Sequence, residues 1–157
     1  MSALPQIVAL RCGPATFGIS IDRVREIVMV PEITPVPESG EFIRGIVNLR
    51  GRILPVLDLG LRLGLGPGPR DGTGRILVVE HDPRHPLGLL VDEASEVLRI
   101  PENLVGPPPE LAAGTAGASG SIRGVARLED RLILLLDLGR VLGEEAPRPL
   151  PAREATA

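Results

Sequence analysis

The stretch Ile43-Arg44-Gly45-Ile46-Val47-Asn48-Leu49-Arg50-Gly51-Arg52-Ile53-Leu54-Pro55-Val56-Leu57-Asp58-Leu59-Gly60 has a second, related copy in the same chain. The copy starts at Ile122, at an offset of 122 − 43 = 79 residues, and runs without a gap to Gly143. Ile-Arg-Gly recurs as Ile122-Arg123-Gly124, Leu-Asp-Leu-Gly as Leu136-Asp137-Leu138-Gly139, and Leu63-Gly64 as Leu142-Gly143. Half of the aligned pairs are identical, and most of the others set apolar on apolar. A weaker match precedes it. Phe17-Gly18-Ile19-Ser20-Ile21-Asp22 lies on Leu87-Gly88-Leu89-Leu90-Val91-Asp92, at an offset of 87 − 17 = 70, with Glu26 on Glu96 and Pro31-Glu32 on Pro101-Glu102. Self-similarity in a fixed order means a repeated structural unit. The chain therefore reads as two sub-domains, about 14–65 and 84–143, with strands near the N-terminus completing both.

Each unit is written in strands. Short runs rich in Val, Ile and Leu, bounded by Gly, Pro and Asp, predict strands over 7–10, 17–21, 26–30, 45–49 and 53–57. The second half repeats them over 76–79, 87–91, 96–100, 124–128 and 131–136. Arg50-Gly51 joins two strands at a tight turn. Five short strands per half predict an all-β chain of two small closed barrels, a closure that hides strand edges. Asp58 and Asp137 each end a strand and open a Leu-Gly segment, so helix N-capping is expected at both. Gly64 to Gly74 reads as a flexible connector, and 107–120 as a Pro/Ala/Gly loop without periodicity. The domain spans 5–143, and the tail 144–157 is expected to fray.

Composition removes several function classes. The chain has 157 residues and a net charge of −3, with no Tyr or Trp; every basic residue is Arg. A nucleic-acid surface wants excess positive charge and stacking aromatics, and neither is present. Cys12 is the single cysteine, so no intrachain disulfide forms and a cytoplasmic location is expected. The N-terminus lacks the pattern of a signal peptide, and no apolar run approaches the ~20 residues of a membrane helix, so no membrane insertion is expected.

Chemistry-bearing residues do not assemble into a catalytic set. His81 and His85 have helical ligand spacing, but Pro83 forbids the helix and Asp82-Pro83 reads as a hairpin turn. Cys12 has no His near it in sequence. Gly64, Gly66 and Gly68 are interrupted by Pro67 and Pro69 and follow no strand, which argues against a phosphate loop. Without Lys there is no P-loop lysine and no Schiff base. Asp58 and Asp137 hold the same place in each repeat, which points to equivalent caps rather than a catalytic couple. No metal, no cofactor and no enzymatic activity are expected.

The run Phe42 to Leu59, with Asn48-Leu49-Arg50-Gly51 followed by Pro55-Val56-Leu57-Asp58-Leu59, resembles the signature of the CheW-like chemotaxis coupling proteins. So do Phe17 to Asp22 followed by Val24-Arg25-Glu26-Ile27, Leu87 to Asp92 with Val97-Leu98, and Pro107-Pro108-Pro109-Glu110-Leu111. The resemblance covers about 5–143. It implies two intertwined, pseudo-symmetric five-stranded SH3-like barrels with short helical segments. It implies a non-catalytic adaptor that couples the cytoplasmic tip of a methyl-accepting chemoreceptor to the regulatory domain of a CheA-type histidine kinase. Such an adaptor is mainly monomeric in isolation and recruited to receptor arrays at the inner face of the membrane. By resemblance, Val24, Glu26, Asn48 and Arg50 match the receptor-binding lining, and Leu111 with Glu110 the kinase contact. The sequence Leu128-Glu129-Asp130 replaces Leu49-Arg50-Gly51 in the second half, so no second receptor groove is inferred. The Ala/Gly stretch 112–120 carries no bulky anchor. It motivates an alternative, a CheW-like protein that competes for or sequesters receptor or kinase without coupling them.

Overall fold

The computed structural model of the chain describes residues 6–82, 84–107 and 121–142. Strands β1 (Gln6–Cys12), β2 (Ala15–Ser20), β3 (Val24–Met29), β4 (Ile43–Leu49) and β5 (Arg52–Asp58) lead into helix α1 (Leu59–Arg62). Strands β6 (Arg75–Asp82), β7 (His85–Val91), β8 (Glu93–Arg99), β9 (Val105–Gly106), β10 (Ile122–Leu128) and β11 (Arg131–Leu136) lead into helix α2 (Leu138–Leu142). All ten strands expected from the sequence are present, with ends displaced by a few residues. Strand β9 is additional; two residues are too short to show any periodicity.

The strands form two sheets, in the orders β3-β6-β7-β5-β4 and β8-β1-β2-β11-β10-β9. Replacing each strand by its repeat counterpart turns the five-stranded order into the first five strands of the other, which adds only β9 at its edge. The hairpins are exchanged: β1-β2 from the first half sits inside the second sheet, and β6-β7 from the second half sits inside the first. The exchange creates the two parallel pairs, β5 with β7 and β11 with β2. Gly88 and Gly18 lie in these parallel ladders, opposite Val56 and Leu135. Both lie within their strands rather than at strand ends. A Cβ at Gly18 would stand 2.4 Å from Ile7 Cδ1, and one at Gly88 2.6 Å from Ile76 Cγ2, so a side chain at either place would force its packed isoleucine neighbour to shift.

Each sheet curls until the chain beyond its edge strand reaches the opposite edge. After β3 the chain bends and Thr34 pairs with Ile46 of β4 through two 2.9 Å hydrogen bonds. After β8 it bends through a 3₁₀ turn, and β9 pairs with β10. The barrels enclose separate cores. Val47, Leu54, Val56, Ile76, Val78 and Leu90 fill barrel one, and Ile7, Ile100, Ala126, Ile133 and Leu135 fill barrel two. A larger core between them takes Val8, Leu10, Phe17, Leu57, Leu77, Leu89, Leu136 and Leu142 among others. Strands with one face in a barrel and the other in the shared core read as near-continuous apolar runs, such as Leu87 to Val91.

The connector after α1 is pinned, contrary to the flexible segment its composition suggested. Gly68 N donates to both carboxylate oxygens of Asp58, at 3.2 and 2.9 Å. Arg44 donates to the carbonyls of Pro69 and Gly68, at 2.9 and 3.2 Å. Asp58 is fully buried; it also accepts from Leu61 N as the α1 cap and pairs with Arg44 at 2.5 Å. Asp137 caps α2 through Arg140 N at 3.2 Å. Both expected caps are therefore made, but the first also carries a buried ion pair that its counterpart lacks among the described residues.

Candidate functional site

The candidate surface starts from the β4–β5 turn. Arg50 and Gly51 have φ of 54° and 89°, the left-handed pair of a two-residue hairpin turn whose twist suits the flanking strands. Asn48 holds this turn, its Oδ1 accepting from Gly51 N at 2.8 Å. The turn presents Arg50 outward, where its guanidinium Nη2 donates to Glu26 Oε2 at 2.5 Å. The Arg50 side chain stays 67% exposed and that of Glu26 35%. One donor of Arg50 is thus occupied, while the planar group keeps further N–H donors for a carboxylate or carbonyl on a partner. An exposed pair of this kind orients the arginine and adds little to stability.

Glu26 and Val24 part company despite their spacing of two. The ladder between β3 and β6 shifts register between them, with Val24 opposite Val79 and Glu26 opposite Val78. Val79 belongs to the shared core and Val78 to the interior of barrel one. A bulge changes which face the following residues occupy. Val24 therefore packs half-buried against the shared core, and Glu26 stands in the ladder opposite a residue of the barrel-one core. The structure brings Glu26, Asn48 and Arg50 together at the hairpin tip and places Val24 on a different face.

Apolar residues that the sequence did not single out stand exposed nearby: Ile27 at 38%, Met29 at 72% and Ile53 at 58%. Ile53 lies directly opposite Asn48 in the ladder. The repeat carried a signal for two of them, because Ile27 matches Val97 and Ile53 matches Leu132, which are also exposed. Barrel two keeps the ion pair in altered form. Arg131 Nη2 donates to Glu96 Oε2 at 3.2 Å, while Glu129 holds the position of Arg50 with φ 52°. The tip of barrel two therefore offers carboxylates where barrel one offers a guanidinium.

Cys12 is buried, and burial, reinforced by the carboxylate of Asp92, pushes its thiol up to about 12. It is a protonated packing residue rather than a nucleophile. Asp82 and His85 are ladder partners at the end of the β6–β7 pairing, and Pro83, where a hairpin turn was expected, lies outside the described residues. Among the described residues no group of three or more His, Cys, Asp or Glu could hold a metal ion, and no helix is long and apolar enough to cross a membrane. Glu110 and Leu111 lie outside the described residues.

A family model described as a CheW-like domain matches residues 6–146. The probable chemotaxis protein CheW of Rhizobium etli is 34% identical over 140 residues, covering 88% of each chain. The chemotaxis protein CheW of Thermotoga maritima is 29% identical, with 88% of each chain covered, and that of Bacillus subtilis 31%, with 83% of this chain and 81% of its own. Among solved structures, the scaffolding protein CheW of Thermoanaerobacter tengcongensis superposes with a TM-score of 0.78 at 34% identity, over 94% of both chains.

Proposed function

The chain belongs to the CheW-like domain family, and from that membership we propose that it is a non-catalytic adaptor of a chemotaxis signalling array, holding a chemoreceptor to a histidine kinase. One geometric observation supports a docking role for barrel one: an exposed guanidinium held by Glu26 on a turn locked by Asn48. Arg50 would bind a carboxylate or a helix-end carbonyl of the receptor tip, with Glu26 and Asn48 fixing its position and the exposed Ile27 and Ile53 supplying apolar contact. Val24 would act through the packing beneath this face. The kinase contact is assigned to Leu111 and Glu110 on the strength of the family resemblance. An apolar side chain in a Pro-rich segment can serve as an interface anchor. With these roles the protein works in the cytoplasm, at the inner face of the membrane that holds the receptor.

The test is kinase activity in a reconstituted mixture of receptor and kinase, with and without this protein. An adaptor raises receptor-dependent kinase activity over a range of substoichiometric to equimolar additions. A protein that only sequesters its partners lowers activity at every addition, and that result would reject coupling.

A further inference from the structure

Arg44 and Arg123 hold the same place in the two repeats, 44 + 79 = 123, and differ in their partners. Arg44 pairs with Asp58 and donates to the carbonyls of Gly68 and Pro69, and only 17% of its side chain is exposed. The connector that it holds supplies Pro69, Arg70 and Gly72 to a groove of about 380 Å³, where they join Val30, Glu32 and Ile33 of barrel one. Arg123 is exposed and makes no hydrogen bond or ion pair among the described residues. Asp137, the counterpart of Asp58, caps its helix and does not pair with it among those residues.

Barrel two has the counterpart groove, of about 440 Å³, and Arg123 lines it. Ile100, Glu102 and Val105 line it too, and they match Val30, Glu32 and Pro35 of the first groove at the offset of 70. Both grooves keep the glutamate, so that charge does not set them apart. The apolar part does. Ile7, Ile100 and Leu135 of the second groove belong to the barrel-two core, whereas Val30 and Ile33 of the first are only partly buried beside theirs. The second groove thus sets a guanidinium with its donors open beside an apolar opening into the barrel.

We propose that the barrel-two groove binds an extended, proline-containing and acidic segment of a partner protein, as barrel one binds its own connector. The connector is the template for this ligand. Arg44 takes one carboxylate and two successive main-chain carbonyls from a Gly-Pro pair, and Arg123 takes the same set from the partner. The proline ring packs on Ile100 and Leu135, and its restricted backbone lowers the entropy lost on docking. Arg50 has no part in this groove, so the inference stands independently of receptor binding at that residue.

The probe is a synthetic peptide with the connector sequence from Gly64 to Thr73, in which Asp71 supplies the carboxylate. It is titrated into the isotope-labelled full chain, and backbone amide signals are followed. Signals of Ile7, Ile100, Val105 and Arg123 should shift and saturate. Arg123→Ala should weaken binding at least about tenfold. Peptides carrying Asp71→Asn, or Pro67→Ala with Pro69→Ala, should also bind more weakly, and these need no change to the protein. Unmoved groove signals would overturn the proposal. So would shifts confined to Val30, Ile33 and Arg44, because the peptide would then be displacing the chain's own connector. Groove signals that move when the protein alone is diluted would overturn it too, since the occupant would be a second copy.

Discussion

Glu26 and Arg50 approach to 2.5 Å although their strands stand at opposite ends of one sheet. Glu26 is on β3, the first strand in that order, and Arg50 is at the tip of the hairpin that ends in β4, the last. The contact exists only because the sheet has curled. It makes a convenient reporter, since the two side chains contribute little to the curl and depend on it entirely.

Arg50→Glu should leave the fold intact and remove receptor binding. The pair is exposed, and such pairs contribute about 0–1 kcal/mol to stability. Inverting a charge that pairs across a partly desolvated interface costs about 2–5 kcal/mol of binding. Melting and receptor pull-down on the same preparation check both parts. The expected result is a nearly unchanged Tm with affinity down at least tenfold; a Tm that falls in step with affinity would make Arg50 structural.

The repeat-related aspartates should separate sharply. Asp58→Ala strands the Arg44 guanidinium, Gly68 N and Leu61 N at a side chain only 1% exposed. Breaking a buried pair costs about 3–5 kcal/mol. Asp137→Ala loses a helix cap on a half-exposed residue, worth about 1 kcal/mol. Urea unfolding of the two variants should show the larger drop in midpoint for Asp58→Ala.

Stability should fall in alkali because of Cys12. The unfolded thiol ionises near 9.0, and the folded one not until about 12. Between those values the folded chain keeps a proton that the unfolded chain has released, so this contribution is complete below pH 9 and declines as pH rises toward 12. The full effect is up to about 4 kcal/mol. With neither Lys nor Tyr in the sequence, no other side chain type confuses this window. Denaturation at pH 8 and pH 11 should show the decline, Cys12→Ala should abolish it, and iodoacetamide should leave the native thiol unmodified at pH 8.

Gly45→Ala should open barrel one at its seam. Gly45 has φ 154°, and a Cβ there would sit 2.3 Å from the carbonyl oxygen of Thr34, whose bridge to Ile46 closes the sheet. Backbone cannot yield as a side-chain end can, so the loss should exceed the ~1 kcal/mol of an ordinary misplaced alanine. Hydrogen exchange at Ile46 N, which donates to Thr34 O, should accelerate more than exchange in barrel two. Equal acceleration in both barrels would mean general destabilisation instead.

The repeat made most of this architecture legible. Ten strands, the Arg50-Gly51 turn and both helix caps follow from runs of apolar residues and from Gly and Asp at their ends. The exchange of hairpins does not follow from the residues alone. Phe17 to Ser20 would look the same beside either half, because the strand is apolar on both faces. The separation of Val24 from Glu26 was hidden for another reason, since a bulge is a property of the pairing and not of either strand. The hold of Asp58 on the connector was hidden by distance, because Gly68 and Pro69 read as punctuation until the side chain that binds them is seen.

The exchanged hairpins have a bearing on ancestry. A chain with one repeat would own a β1-β2 hairpin and the strands that need one, and the pairing seen here always joins that hairpin to the strands of the other copy. It would become whole by trading hairpins with a twin, and its folding would depend on meeting that twin in solution. Joining the two copies through the connector replaces that meeting with a tethered one at high local concentration. Once joined, the halves are free to diverge: one tip keeps Arg50 and the other carries Glu129, a division of labour that identical twins could not hold.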